Sequence, residues 1–129
     1  MYGRVLVGTD GSIAAGRAVR RAVAVAERFG ARLLVAYVGE ASPGLEVLDG
    51  VQRQYADAGV QIGTSLLSGD AVDALLGLAA AERVHLLVVG GRSVSGPQRL
   101  LPGSVPDKLL HRAPCDVLVV RAASGAADR

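Results

Sequence analysis

Apolar residues recur along the chain in two alternating patterns, namely short continuous runs and longer stretches with helical spacing. Short β-branched runs bounded by turn residues predict strands, and near-continuous apolar ones predict strands that are covered on both faces. The runs are Arg4–Thr9, Arg32–Val38, Val60–Leu67, Leu86–Val89 and Asp116–Arg121. The third run alternates apolar with small or polar residues, which indicates a strand nearer an edge of the sheet.

Between these runs, apolar residues repeat every three or four positions, which is the spacing of one helical face. The pattern is clearest over Ile13–Phe29 and ends at Gly30, a residue type that favours a helix C-terminus. A weaker pattern covers Leu45–Ala58, so Gly39–Gly44 is expected to be a loop. Two further helices are predicted, one starting after Asp70 and carrying Val72, Leu75, Leu76 and Ala79, and a short one over Val105–Arg112.

The alternation of strand and helix along the whole chain predicts an α/β fold. We expect a doubly wound, five-stranded parallel sheet with strand order 3-2-1-4-5, helices on both faces and right-handed crossovers. In that order the winding reverses between the first and fourth strands, and ligands bind beside the carboxyl ends of strands at such a switch point. These ends are Thr9-Asp10 and Gly90-Gly91.

Length and composition fit one domain over residues 1–122, followed by a disordered tail over 123–129. Half of the 129 residues are hydrophobic, a fifth are charged and the formal net charge is +2. The fourteen basic residues are scattered, and the few aromatic residues do not accompany a basic cluster, which argues against a nucleic-acid surface. With no apolar run of membrane-spanning length and no leader pattern, we expect a cytoplasmic protein without a membrane partner.

The stretch Leu86–Val105 combines an apolar strand, a loop rich in small residues, Arg and Pro, and a Gly-Ser pair that opens a helix. Helix N-termini present N–H groups without intrahelical acceptors and carry a partial positive charge. This stretch is therefore a candidate phosphate-binding loop. Neither the P-loop signature nor a G-x-G-x-x-G after the first strand is present, which argues against a P-loop NTPase or a dinucleotide oxidoreductase.

Two of the candidate positions have a structural explanation as well. Ser104 and Asp107 fit the capping box [ST]-x-x-[DE], in which the side chains satisfy the first helical N–H groups. Asp10 precedes Gly11-Ser12, and an aspartate at that place commonly caps the following helix. Capping and anion binding both stay open for these residues on spacing alone.

Catalytic groups are few. His85 directly precedes the fourth strand, at the edge away from the predicted site, and His111 lies near the end of the last helix, where a cation favours the helix dipole. Cys115 is the single cysteine and is expected to be a small buried hydrophobe. The acidic residues show no paired-carboxylate or metal-ligand pattern, so we predict no catalytic residues.

Three segments of the chain resemble the universal stress protein family, namely RVLVGTDGS, LLSGDAVDALLGLAAAERVHLLVVG and RLLPGSVPDKLLHRAPCDVLVVR. The resemblance covers essentially the whole chain and implies a Rossmann-like fold of the adenine nucleotide alpha hydrolase type. In the nucleotide-binding branch, the pattern G-x2-G-x9-G-[ST] holds the phosphates and ribose of ATP. Its positions fall here on Gly90, Ser93, Gly103 and Ser104, so that three of the four match.

The resemblance further implies that Asp10 approaches the ribose or a nucleotide-bound Mg²⁺, and that the backbone of Tyr37 and Val38 lies beside adenine. The candidate cofactor-binding residues are Thr9, Asp10, Tyr37, Val38, Gly90, Gly91, Arg92, Ser93, Gly103, Ser104 and Val105. Arg99 is a further candidate donor, and for Arg92 and Arg99 the alternative of ordinary solvated side chains stays open. Ser93 puts a Cβ where the family has glycine, while Pro106 removes an N–H from the helix start and Asp107 adds a negative charge.

Three functions are consistent with these residues. The first is binding of ATP or a related adenine nucleotide by a stress-response regulatory module. The second is a non-nucleotide interaction protein of the same family, a change that Ser93 and Pro106 would mark. The third is slow ATP hydrolysis, for which the loop offers no general base and no phosphate-binding lysine. The resemblance also implies a homodimer in which the edge strand Asp116–Arg121 pairs with its copy.

Overall fold

The computed structural model describes residues 2–91 and 103–121. Within these ranges, five strands form one parallel sheet in the order β3-β2-β1-β4-β5, which confirms the predicted topology. The strands are β1 (Arg4–Thr9), β2 (Arg32–Val38), β3 (Ile62–Leu67), β4 (Leu86–Gly90) and β5 (Asp116–Val120). The predicted site residues Arg92, Ser93 and Arg99, and the tail from Ala122, lie outside the described residues.

The described ranges hold four helices, two on each face of the sheet. They are α1 (Ile13–Phe29), α2 (Ala41–Gln54), α3 (Ala71–Ala81) and α4 (Val105–Arg112). Side chains alternate across the sheet, so that Val5 and Val7 of β1 pack under α1 while Leu6 between them packs on the face of α3 and α4. All of Leu86–Val89 in β4 is buried, as expected for a strand that is covered on both faces.

The position of α2 differs from the sequence-based prediction. The helix begins at Ala41 rather than Leu45 and ends at Gln54 rather than Ala58, so the expected loop Gly39–Gly44 is helical from Ala41. Pro43 is compatible with this start because the first helical turn does not need its N–H group. The apolar pattern does not mark this first turn, because Gly44 is buried on the packed face of α2 without an apolar side chain.

Three strand ends also differ by one or two residues from the prediction. β3 begins at Ile62 rather than Val60, β4 ends at Gly90 rather than Val89, and β5 ends at Val120 rather than Arg121. Val60 nevertheless packs against the core on the α1 and α2 face. The apolar pattern thus marked burial correctly but not the limits of the hydrogen-bonded ladder.

Among residues 2–91 and 103–121, no helix has both the length and the apolar character needed to cross a lipid bilayer.

Gly44 provides a test of how α2 is seated. A Cβ at this position would lie 2.6 Å from Leu66 Cδ1 and 2.7 Å from Tyr37 Cδ1. We expect Gly44→Ala to lower the free energy of unfolding by about 1–3 kcal/mol, because either α2 or the side chains of Leu66 and Tyr37 must move. Urea unfolding monitored by circular dichroism measures the change.

The matched control for that variant is Gly50→Ala in the same helix, where a Cβ meets no atom within 4 Å. Alanine is the better helix former, so this control should gain about 0.5–1 kcal/mol. Equal stability of the two variants would contradict the described position of α2.

Candidate functional site

The carboxyl ends of the two central strands lie side by side. β1 pairs with β2 as far as Thr9 and Tyr37, and it pairs with β4 as far as Val7 and Val88. Beyond these pairs the chain leaves the sheet at one common edge. From β1 the chain enters α1 on one face, and α4, which follows β4, packs on the other face. The candidate site is therefore the crevice that is expected beside these strand ends at a topological switch point.

The turn after β1 is built from local hydrogen bonds. Thr9 Oγ1 accepts the Gly11 N–H at 3.1 Å, and Asp10 Oδ1 accepts the Ser12 N–H at 2.9 Å. Ser12 Oγ in turn accepts the Ala15 N–H at 3.1 Å. Ser12 is thus the N-cap of α1. Asp10 is not the cap residue itself, as the sequence had allowed, but supports the cap residue through an Asx-type turn. The Asp10 side chain itself is exposed at the crevice.

Gly90, the last residue of β4, and Gly91, which follows it, lie close to atoms of neighbouring elements. A Cβ on Gly90 would lie 3.1 Å from the carbonyl oxygen of Ala14 in the first turn of α1. The Gly91 N–H donates to the Val120 carbonyl at 2.8 Å, so the sheet already uses this donor. Gly90 therefore has a structural reason to be present that is independent of any ligand, whereas the hydrogen bond of Gly91 could be made by any residue other than proline.

The capping box at the start of α4 is formed. Ser104 is the N-cap and its Oγ accepts the Asp107 N–H at 3.3 Å, while Asp107 Oδ2 accepts the Gly103 N–H at 3.0 Å. Gly103 has a φ of +78°, which only glycine adopts readily. The predicted capping interpretation is confirmed, although the Asp107 carboxylate bonds to the residue before the N-cap rather than to the N-cap itself.

Two backbone donors remain at the same helix end. Among the hydrogen bonds of residues 2–91 and 103–121, none uses the N–H of Ser104 or Val105. Pro106 follows and has no N–H, and its ring is buried. The capping box consumes the N–H groups of Gly103 and Asp107, so capping and anion binding use different donors and are compatible.

The end of β2 forms the third side of the crevice. The Arg32 N–H donates to Gly3 and the Gly39 N–H to Leu67, so even-numbered residues of β2 direct their backbone groups toward β1. The Val38 carbonyl consequently points beyond the last β1–β2 pair, which is Thr9–Tyr37. The Tyr37 ring is half-buried and packs under α2, on the face of the sheet that α1 and α2 cover.

Other titratable side chains lie at the amino edge of the sheet, opposite the crevice. The pKa of Tyr2 is raised because its hydroxyl donates a 2.7 Å hydrogen bond to the Asp116 carboxylate. Burial, followed by the charge of Asp116, raises the pKa of the Cys115 thiol, although this side chain is only half-buried rather than fully buried as expected. His85 Nδ1 accepts the Arg4 N–H at 3.1 Å, a structural role away from the crevice.

His111 also serves the fold. Its Nδ1 lies 2.8 Å from the carbonyl oxygen of Asp107 and 3.5 Å from the carboxylate of the same residue. Within the described parts of the chain, no three His, Cys, Asp or Glu side chains come together as a metal site.

Comparisons with known proteins agree with this architecture. A sequence model of the universal stress protein family matches residues 1–121. A universal stress protein of Methanocaldococcus jannaschii is 28% identical over 141 aligned positions, which cover 94% of this chain and 83% of the relative. The chain belongs to the universal stress protein family.

Two solved structures that share this fold contain a bound nucleotide. The crystal structure of a universal stress protein in complex with cAMP is 31% identical, has a TM-score of 0.80 and covers 95% of this chain and 99% of that one. A universal stress protein family member from Arabidopsis thaliana with AMP bound shares the fold, with 20% identity, a TM-score of 0.75 and coverage of 95% and 93%.

Substitution of Gly90 tests whether this glycine is needed for packing in the absence of a ligand. We expect Gly90→Ala to lower the free energy of unfolding by about 1–3 kcal/mol in the absence of any nucleotide, because the added methyl meets a backbone oxygen that cannot rotate away. Chemical unfolding of the purified protein measures this change.

Gly63→Ala in β3 is the control, since its Cβ would make an ordinary 3.5 Å contact with Leu34. We expect that variant to stay within about 0.5 kcal/mol of the parent. If Gly90→Ala were as stable as the parent, the packing explanation would be wrong.

Proposed function

We propose that this protein binds ATP or a related adenine nucleotide at the crevice between β1 and β4, and acts as a cytoplasmic stress-response regulatory module. The observation that carries the proposal is the start of α4, where no hydrogen bond among the described residues uses the Ser104 and Val105 N–H groups beside the capping box. A phosphate at this position would accept these hydrogen bonds and benefit from the helix dipole.

The remaining sides of the crevice fit the other parts of such a ligand. The exposed Asp10 carboxylate is a candidate acceptor for ribose hydroxyls or a ligand for nucleotide-bound Mg²⁺. The Val38 carbonyl, directed beyond the Thr9–Tyr37 pair, is a candidate acceptor for an exocyclic amino group such as that of adenine. The cAMP and AMP complexes of the two related proteins support an adenine nucleotide as the ligand class.

Equilibrium titration with cAMP, AMP and ATP in the presence of Mg²⁺ tests the proposal. We expect saturable binding of at least one of these nucleotides, measured by isothermal titration calorimetry. An absence of saturation up to millimolar nucleotide would reject it and favour the non-nucleotide interaction protein as the alternative.

The same titration with Val105→Pro tests the contribution of the Val105 N–H group to binding. Proline is favoured at the first helical position, so α4 is retained while its first N–H is removed. Loss of a hydrogen bond to a charged phosphate should weaken binding about tenfold. Val105→Ala keeps the N–H and should bind like the parent, and equal affinity of the two variants would show that this donor is not used.

We also propose that the protein is a homodimer paired through β5. This strand pairs with β4 on one side only within the described residues, and its apolar Val117, Leu118 and Val119 are half-buried. An apolar edge strand of this kind normally needs a cover or a partner. An antiparallel pairing about a twofold axis would satisfy both copies.

Val119→Pro tests the dimer. Because the Val120 carbonyl accepts from Gly91, the neighbouring Val119 directs its N–H away from β4. Proline at an outward-facing edge position is compatible with the sheet but removes a donor that the pairing needs. We expect sedimentation equilibrium to show the mass of two chains for the parent and for Val119→Ala, and of one chain for Val119→Pro. A parent with the mass of one chain at micromolar concentration would contradict the dimer.

A further inference from the structure

Val47 of α2 lies against the turn that follows β1. A Cβ built on Gly11 would be 2.9 Å from Val47 Cγ2 and 3.7 Å from Cγ1. Gly11 also has a φ of +83°, in the left-handed region. The absence of a side chain at Gly11 therefore serves both the turn conformation and the direct contact with Val47.

The contact of Val47 is distinct from the packing that holds α2 on the sheet. Leu48 and Val51 of the same helix are buried in the core, with 3% and 9% of their surface exposed. Val47 is only half-buried and, in the described part of the chain, belongs to neither core cluster nor to the residues packed against them. Its side chain therefore contributes to the turn rather than to the core.

The helix gives Val47 a firm position. Gly44 lies three residues earlier, on the same side of the helix, and sits directly on the side chains of Tyr37 and Leu66. α2 thus touches the end of β2 through Gly44 and the turn after β1 through Val47. These are two of the three sides of the crevice.

We propose that Val47 is a positioning residue that holds the Asp10–Ser12 turn and thereby sets the place of the Asp10 carboxylate; this inference rests on the proposed function. The hydrogen bonds described for the turn, in which Thr9, Asp10 and Ser12 act as acceptors, include bonds between residues two to four positions apart. Such bonds define the shape of the turn, whereas contact with a separate element is needed to restrain its position relative to β2. Val47 supplies such a contact.

Backbone ¹⁵N order parameters of Gly11 and Ser12 in the ligand-free protein test this role without relying on nucleotide. Val47→Ala removes both methyl groups that face Gly11 and should lower these order parameters. Val51→Ala is the matched control, because it makes the same deletion one turn later, in the core. It should reduce thermal stability at least as much and leave the turn as rigid as in the parent.

Val47→Thr keeps the branched shape and should restore the order parameters. Binding then provides the second readout, with about fivefold weaker adenine nucleotide affinity expected for Val47→Ala, and parent affinity for Val47→Thr and Val51→Ala.

The inference is overturned if Val47→Ala leaves the Gly11 and Ser12 order parameters unchanged, or if Val51→Ala lowers them equally. It is also overturned if the turn loosens but nucleotide affinity does not fall. If the parent binds no adenine nucleotide, the proposed function fails. A loosened turn in Val47→Ala would then still establish that Val47 holds the turn, but the turn would not belong to a nucleotide site.

Discussion

The parallel pairing of β1 between β2 and β4 is the constraint on which the rest of the structure depends. Leu6, Val7, Leu87 and Val88 are fully buried at the centre of the sheet, so this register excludes water from both faces at once. A shift by one residue would exchange the two side-chain layers. The same register places the end of β1 beside the end of β4, and thereby creates the crevice.

The polar groups at this crevice stabilise the fold before they can serve a ligand. Thr9, Asp10 and Ser104 each accept a backbone N–H from a turn or helix start. A rigid arrangement of this kind lets backbone donors face a ligand without rearrangement on binding. Capping and the proposed ligand binding would therefore use one structure, because the capping box uses the N–H groups of Gly103 and Asp107 and, among the described residues, not those of Ser104 and Val105.

Much of the fold was predictable because burial leaves a periodic mark on the sequence. Strands β1 and β2 and helices α1 and α4 have the predicted limits, since each has apolar residues at a regular spacing and a turn or cap residue at its ends. Whether a glycine serves packing or ligand binding was harder to predict from the sequence. Gly90 matched a ligand-binding pattern, yet its close approach to Ala14 gives a packing reason for a glycine there as well.

The sequence by itself determined the fold class, the strand order and the likeness to a family, because alternating apolar patterns and short motifs are local properties. It also identified the capping box at Ser104 and Asp107, whose members are three residues apart. Only the tertiary structure decided where α2 begins and that Val47 lies against Gly11. Each of these depends on atoms from segments distant along the chain, and no local spacing records such contacts.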